Sequence, residues 1–249
     1  MKSIIVIPAR LASTRLPRKL LLCETGKTLL QHTYESACTS QLAETVIVAA
    51  DDPEIADEVQ RFGGKFQLTN PHHVCGTDRV AEVAAQLDEY DLVVNLQGDE
   101  PELPGSAIDL ALSIFQDHPE AQMATLATPI RERKCLDDPS CVKVVIDQLG
   151  RALYFSRAPI PWARTWDERW LHADPPSFFQ HVGLYVYRRD FLLRIPHLPT
   201  PQLEKIESLE QLRVLHAGVP IYVGLIDHSV VGIDTPADYA AFVRRQHTR

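Results

Sequence analysis

Arg10, Arg15, Arg18 and Lys19 crowd one short stretch directly after the apolar run Ile4-Ile5-Val6-Ile7. The run is β-branched throughout and reads as a buried parallel strand. The chain as a whole is acidic, with 25 Lys and Arg against 33 Asp and Glu and a net charge of −8, so the cluster departs from its background. In an open α/β sheet, ligands bind at the C-terminal ends of the strands. Arginine and lysine at such a tip suit a polyanion such as a nucleoside triphosphate. The loop runs from residue 10 to about residue 26, well beyond the roughly 2–6 residues usual between strand and helix, which marks it as functional. It contains neither GxGxxG nor GxxxxGK[ST]. Phosphates would therefore be held by side-chain cations and backbone amides, not by a dinucleotide fingerprint or a P-loop.

Two carboxylates complement these cations. Asp99 follows an apolar run in Gln97-Gly98-Asp99-Glu100-Pro101, and Asp234 follows a late one in Gly232-Ile233-Asp234-Thr235-Pro236. Both stand beside a glycine-containing turn that admits a ligand closely. Facing a triphosphate, two such groups would hold Mg²⁺, a hard ion that binds oxygen and takes substrate phosphates as further ligands. Asp234-Thr235-Pro236 also reads as an ordinary helix start. Glu100 reads as structural.

The elements that must position these groups alternate along the first half. Strands are expected at 4–9, 45–50, 65–69 and 92–97. Between them helices are expected at 28–38, at 53–62 with Asp51 or Asp52 as cap and Pro53 in its first turn, and at 77–87. This order implies a mainly parallel sheet covered on both faces. The second half differs. Strands at 123–128, 142–147, 152–157 and 181–188 suggest an antiparallel extension, and residues 158–178, rich in proline and tryptophan, an irregular connection or lid. A helix at 204–217, a strand at 221–226 and a closing helix at 236–246 complete the reading.

Several classes are excluded or disfavoured. The acidic balance argues against extended nucleic-acid binding. No apolar run reaches the roughly 18 residues of a membrane span, and the N-terminal apolar run is too short for a signal peptide, so a cytoplasmic protein is expected. The five cysteines are odd in number and never spaced as CxxC, and read as reduced thiols.

These segments together resemble the 3-deoxy-D-manno-octulosonate (Kdo) cytidylyltransferase family. The resemblance lies in IPARLASTRLPRKLL at 7–21, CGTDRVAE at 75–82, VVNLQGDEP at 93–101, MATLATPI at 123–130 and VKVVID at 142–147. It continues through ALYFSRAPIPW at 152–162, HVGLYVYR at 181–188, LEQLRVL at 209–215 and GIDTPADY at 232–239. It implies a three-layer αβα nucleotidyltransferase fold with a mixed, mostly parallel sheet and a smaller antiparallel extension. One domain would span 1–249, with 1–130 and 218–249 as nucleotide-binding core and 131–217 serving the sugar and dimerisation. The implied reaction joins CTP and Kdo into CMP-Kdo and pyrophosphate, for lipopolysaccharide biosynthesis, with Mg²⁺ and in a homodimer.

By the same resemblance Arg10 and Lys19 bind the CTP phosphates, and Arg15 lies near the α-phosphate and sugar acid. Asp99 and Asp234 hold magnesium. Ala9, Gly76, Thr77 and Arg79 lie near the cytosine and ribose. Gln97, Arg157, His181, Tyr185, Glu210 and Gln211 line the sugar pocket. The chain departs from the family pattern at Arg18, where glycine is usual, at Cys75, where a small hydroxylated residue is usual, and at Ala237, where an acid is usual.

The chemistry is consistent with this. An in-line attack of the sugar hydroxyl on the α-phosphorus asks for positioning and charge neutralisation more than covalent help. Arg157 can offer a bidentate fork to the sugar carboxylate. His181, Tyr185 and Tyr187 share one strand face at period two. Alternatives at this point are a cytidylyltransferase for 8-amino-Kdo or another sugar acid, a non-catalytic nucleotide-binding protein, and a metal-dependent glycosyltransferase.

Overall fold

The computed structural model describes residues 1–227 and 232–248. The parallel half is built from β1 (Ser3–Ala9), α1 (Leu29–Ala37), β2 (Thr45–Ala50), α2 (Pro53–Arg61), β3 (Phe66–Leu68), α3 (Gly76–Ala85) and β4 (Leu92–Asn95). Then follow α4 (Gly105–Asp117), β5 (Met123–Pro129), α5 (Arg133–Asp137), β6 (Lys143–Ile146), β7 (Ala152–Ser156) and β8 (Phe179–Arg188). The chain closes with α6 (Arg189–Leu192), α7 (Gln202–Glu207), α8 (Gln211–His216), β9 (Ile221–Leu225) and α9 (Pro236–His247).

The strands form one sheet in the order β3-β2-β1-β4-β8-β5-β9, with β6 and β7 joined to it through β8. β1 pairs parallel with β2 and β4, and β5 with β9. Both faces are covered. Ile5 and Ile7 pack with Leu29, Ile55, Ile108 and Phe242 on one side. Ile4 and Val6 pack with Val80, Val83, Leu192 and Leu212 on the other. This is why β1 reads as continuously apolar. Among the described residues no helix is long and apolar enough to cross a membrane.

Three expectations change. β8, read with the antiparallel extension, instead lies inside the main sheet, antiparallel to both β4 and β5. Its Val186 and Tyr187 enter the cores on opposite faces, which is what burial on both sides of a central strand requires. The single helix expected over 204–217 is two. Ser208 adopts φ 52, which stops α7, and α8 restarts after Glu210. Finally, α4 had no expected counterpart. Its buried Ala107, Ile108, Ala111, Leu112 and Phe115 follow helical spacing, a signal present in the sequence. Asp52, not Asp51, caps α2 by accepting from the Glu54 amide.

Candidate active site

The loop after β1, the turn after β4, the N-terminus of α3 and the approach to α9 meet around a cleft of about 610 Å³. Lys19 opens a short 3₁₀ turn at Lys19–Leu21. Its Nζ lies 2.5 Å from Asp99 Oδ2 and 3.1 Å from Asp234 Oδ1. Arg15 Nη2 reaches the same Asp234 oxygen at 3.0 Å. The two acidic turns are tied together by the Ile233 amide, which donates to the Asp99 carbonyl at 3.0 Å. Gly98 lets the Asp99 turn lie close against β1 and the cationic loop, because a Cβ there would lie 3.3 Å from Leu20 Cδ1 and 3.4 Å from the Pro8 carbonyl.

The ambiguity over Asp234 is resolved by its neighbour. Thr235 is the N-cap of α9, accepting from the Asp238 amide and closing a capping box with the Asp238 carboxylate. Asp234 is thereby released from capping and turns to the cleft.

Asp99 and Asp234 suit a magnesium ion. One ammonium already lies within hydrogen-bonding distance of both, so their oxygens converge on a point that one cation can share. Both donors are hard carboxylate oxygens, and Mg²⁺ commonly takes only one or two of these besides water and phosphate. Among the described residues no group of three or more His, Cys, Asp or Glu is arranged to hold an ion.

Arg10 lines the cleft and is exposed, with no ion pair to the other described residues. Gly76 brings the first turn of α3 to the cleft, and the N-terminus of a helix favours anions. Gln97 and Glu210 line the cleft as well. Thr77 donates to Glu210 Oε2 at 2.7 Å, bridging α3 to the turn before α8.

The other residues singled out in the sequence stand differently. Ala9 is fully buried, and Pro8 lines the cleft in its place. Arg79 borders the cleft, but its Nη1 donates to Thr69 Oγ1 and the Asn70 carbonyl, and its Nη2 lies 3.8 Å from Asp51. Asp51 in turn accepts from the Leu11 amide, anchoring the start of the cationic loop. Arg18, the fourth cation, faces away and pairs with Glu54. Its φ of 55 lies in the left-handed region, which accounts for glycine at this place in the family pattern.

The expected sugar pocket is not assembled as one surface. Tyr185 and Gln211 line a recess of only about 20 Å³ behind Glu210. Arg157 lies outside both spaces. Its Nε donates to the Glu207 carbonyl, Nη1 to Pro139 and Nη2 to Ser208. These bonds fix the Ser208 turn, which itself lines the cleft. His181 packs edge-on to Phe155 and beside Tyr185, with Nε2 3.0 Å from Thr125 Oγ1. Burial pushes its imidazole down to about 3.

The neutral His181 predicts an acid limb to stability. Its folded value lies below the ordinary 6.5, so its contribution is full above about 6.5 and is lost as pH falls toward about 3. His181→Gln should flatten the urea-unfolding stability profile over that window by up to a few kcal/mol. Parallel profiles for both proteins would rule this role out.

Sequence reading missed His73, paired with Glu82, and the highly exposed Val74 on the cleft rim. The run Asn70-Pro71-His72-His73 signals only a turn. It also took Glu100 as structural. Glu100 lines the cleft, and its buried Oε2 has no hydrogen-bond partner among the described residues. Burial first, then the charges of Asp99 and Asp234, push it up to about 8.

An open, mostly parallel sheet with cations in the loop after β1, one carboxylate after β4 and another just before α9, all around one cleft, has the architecture of an α/β nucleotidyltransferase. The family model described as cytidylyltransferase matches residues 4–221. A 3-deoxy-manno-octulosonate cytidylyltransferase from Rhodopirellula baltica is 50% identical over 98% of each chain. One of the same name from Syntrophotalea carbinolica is 46% identical over 94% of each. A solved CMP:2-keto-3-deoxy-manno-octonic acid synthetase complexed with CTP superposes with TM-score 0.92 at 40% identity, covering 100% of this chain and 99% of that one. The chain belongs to the cytidylyltransferase family.

Proposed function

We propose that the protein transfers a cytidylyl group from CTP to 3-deoxy-manno-octulosonate, releasing pyrophosphate and supplying CMP-Kdo for lipopolysaccharide biosynthesis. The observation that carries this reading is Lys19 spanning Asp99 and Asp234 inside one cleft that Arg10 and Arg15 also enter. It is supported by relatives of that name at up to 50% identity along nearly the whole chain.

Arg10, Arg15 and Lys19 hold the triphosphate and neutralise charge passing to the leaving pyrophosphate. Asp99 and Asp234 hold Mg²⁺, which when bound supplies Lewis-acid stabilisation to phosphoryl oxygens. Gly76 and the α3 amides face the nucleotide. Gln97 and Glu210, with the Ser208 turn braced by Arg157, bound the sugar side. Residues 131–217 contribute this side and the dimer contact, where Leu153, Trp162 and Ile206 are exposed. The enzyme works in the cytoplasm.

The test is pyrophosphate release across CTP, UTP and ATP with Kdo, 8-amino-Kdo and sialic acid. CTP with Kdo should give the highest kcat/KM. A clear preference for another sugar acid, or nucleotide binding without pyrophosphate release, would overturn the assignment.

A further inference from the structure

Away from the cleft, Cys135 and Cys141 meet in a satellite cluster with Ile130, Leu136, Leu171 and Phe178. Their Sγ atoms are 2.7 Å apart, against about 2.05 Å in a disulfide bond. We propose that this pair is a reversible dithiol–disulfide site, closed by a low-molecular-weight disulfide and opened by a thiol.

The two sulfurs are unequal. Cys141 is buried, whereas Cys135 is partly exposed and lies 3.4 Å from Gln180 Oε1. The contact from Cys141 holds the Cys135 thiol below its ordinary value, and that same contact together with burial raises Cys141. Exposure and thiolate character make Cys135 the attacking group. Its thiolate, having lost a proton to solvent, attacks one sulfur of the oxidant and expels one thiolate. Cys141, losing its proton, then displaces the second thiolate from the mixed disulfide. The two cysteines lose two electrons, and the oxidant is reduced to two thiols.

The bridged loop is mechanically connected to the cleft. Between the two cysteines, the Asp138 carbonyl accepts from the buried Lys143 ammonium, and the Pro139 carbonyl from Arg157 Nη1. Lys143 also donates to the Arg157 carbonyl. Arg157 then holds the carbonyls of Glu207 and Ser208, and Ser208 lines the cleft. Closing the disulfide fixes this loop in the conformation that already seats Arg157. Disulfides inside cells are usually transient and redox-sensing, which fits a pair of this kind.

The experiment treats the full-length protein with oxidised glutathione, then blocks remaining thiols and maps peptides by mass spectrometry. The expected result is a 135–141 cross-link lacking two hydrogens, reversed by dithiothreitol and absent from Cys135→Ser and Cys141→Ser. Cys38→Ser should retain it. Amide exchange across 202–211 should slow several-fold on oxidation in the parent and not in Cys141→Ser. A stable glutathione adduct at Cys135, or two alkylated thiols after treatment, overturns the site. An unchanged exchange rate in cross-linked protein overturns its connection to the cleft. Neither readout depends on the proposed substrates.

Discussion

The Asp99→Asn enzyme is expected to turn over about 10³-fold more slowly than the parent with Mg²⁺ present, a loss typical of removing one preorganised electrostatic group. Asp99 and Asp234 are the carboxylates that converge on a single cation-sized point. An amide at 99 keeps the shape and deletes the charge. The fold should survive, because Lys19 retains Asp234 at 3.1 Å and the Ile233 amide still reaches the Asp99 carbonyl. Asp234→Asn should lower turnover similarly, and the double variant should fall short of the product of the two losses, since both groups act on one ion. Isothermal titration gives a second readout. Mg²⁺ should strengthen CTP binding to the parent and do so far less with Asp99→Asn. Near-normal turnover in that variant would refute the metal role.

Lys19→Gln should lower kcat/KM for CTP about 10²-fold, the upper range for losing a hydrogen bond to a charged group. The Lys19 side chain is only 11% exposed and wedged between two carboxylates. Its removal deletes a phosphate partner and leaves Asp99, Asp234 and Glu100 facing one another without an ammonium between them. The Lys19 charge holds the Glu100 carboxyl down against burial and the neighbouring carboxylates, so without it Glu100 should keep its proton to higher pH and the pH profile of the residual activity should shift upward. Lys19→Arg should not rescue fully, because a planar guanidinium cannot present a compact charge to both carboxylates in the same space. Steady-state kinetics over a pH series measure both effects. A variant with unchanged kcat/KM for CTP would remove Lys19 from the phosphate site.

Legibility tracked the range of the physical interactions involved. β1, β2 and β4 were visible because strands buried on both faces must be continuously apolar, a local property. α4 carried an equally local helical spacing and was overlooked. The break at Ser208 was not local: its carbonyl is held by Arg157, 51 positions away. The placement of β8 was equally remote, since its antiparallel character fitted either an extension or the interior of the sheet. Arg157 and His181 show the same limit at the site. Their types suggest a carboxylate fork and a sugar contact, but only the tertiary structure reveals the backbone carbonyls that hold Arg157 and the strand face against which His181 packs.

The sequence by itself determined the family, the αβα class, the cationic strand tip and the two carboxylates that oppose it. Those are properties of residue type and short-range order. Only the tertiary structure decided which of the four loop cations enter the cleft, that Thr235 and not Asp234 caps α9, and that the tyrosine-lined recess lies behind the cleft. Each depends on partners far apart in the chain, as with Lys19 and Asp234 at a separation of 215 positions. Side-chain direction there follows from burial and charge pairing that exist only once the fold has brought the loop after β1, the turn after β4 and the start of α9 together.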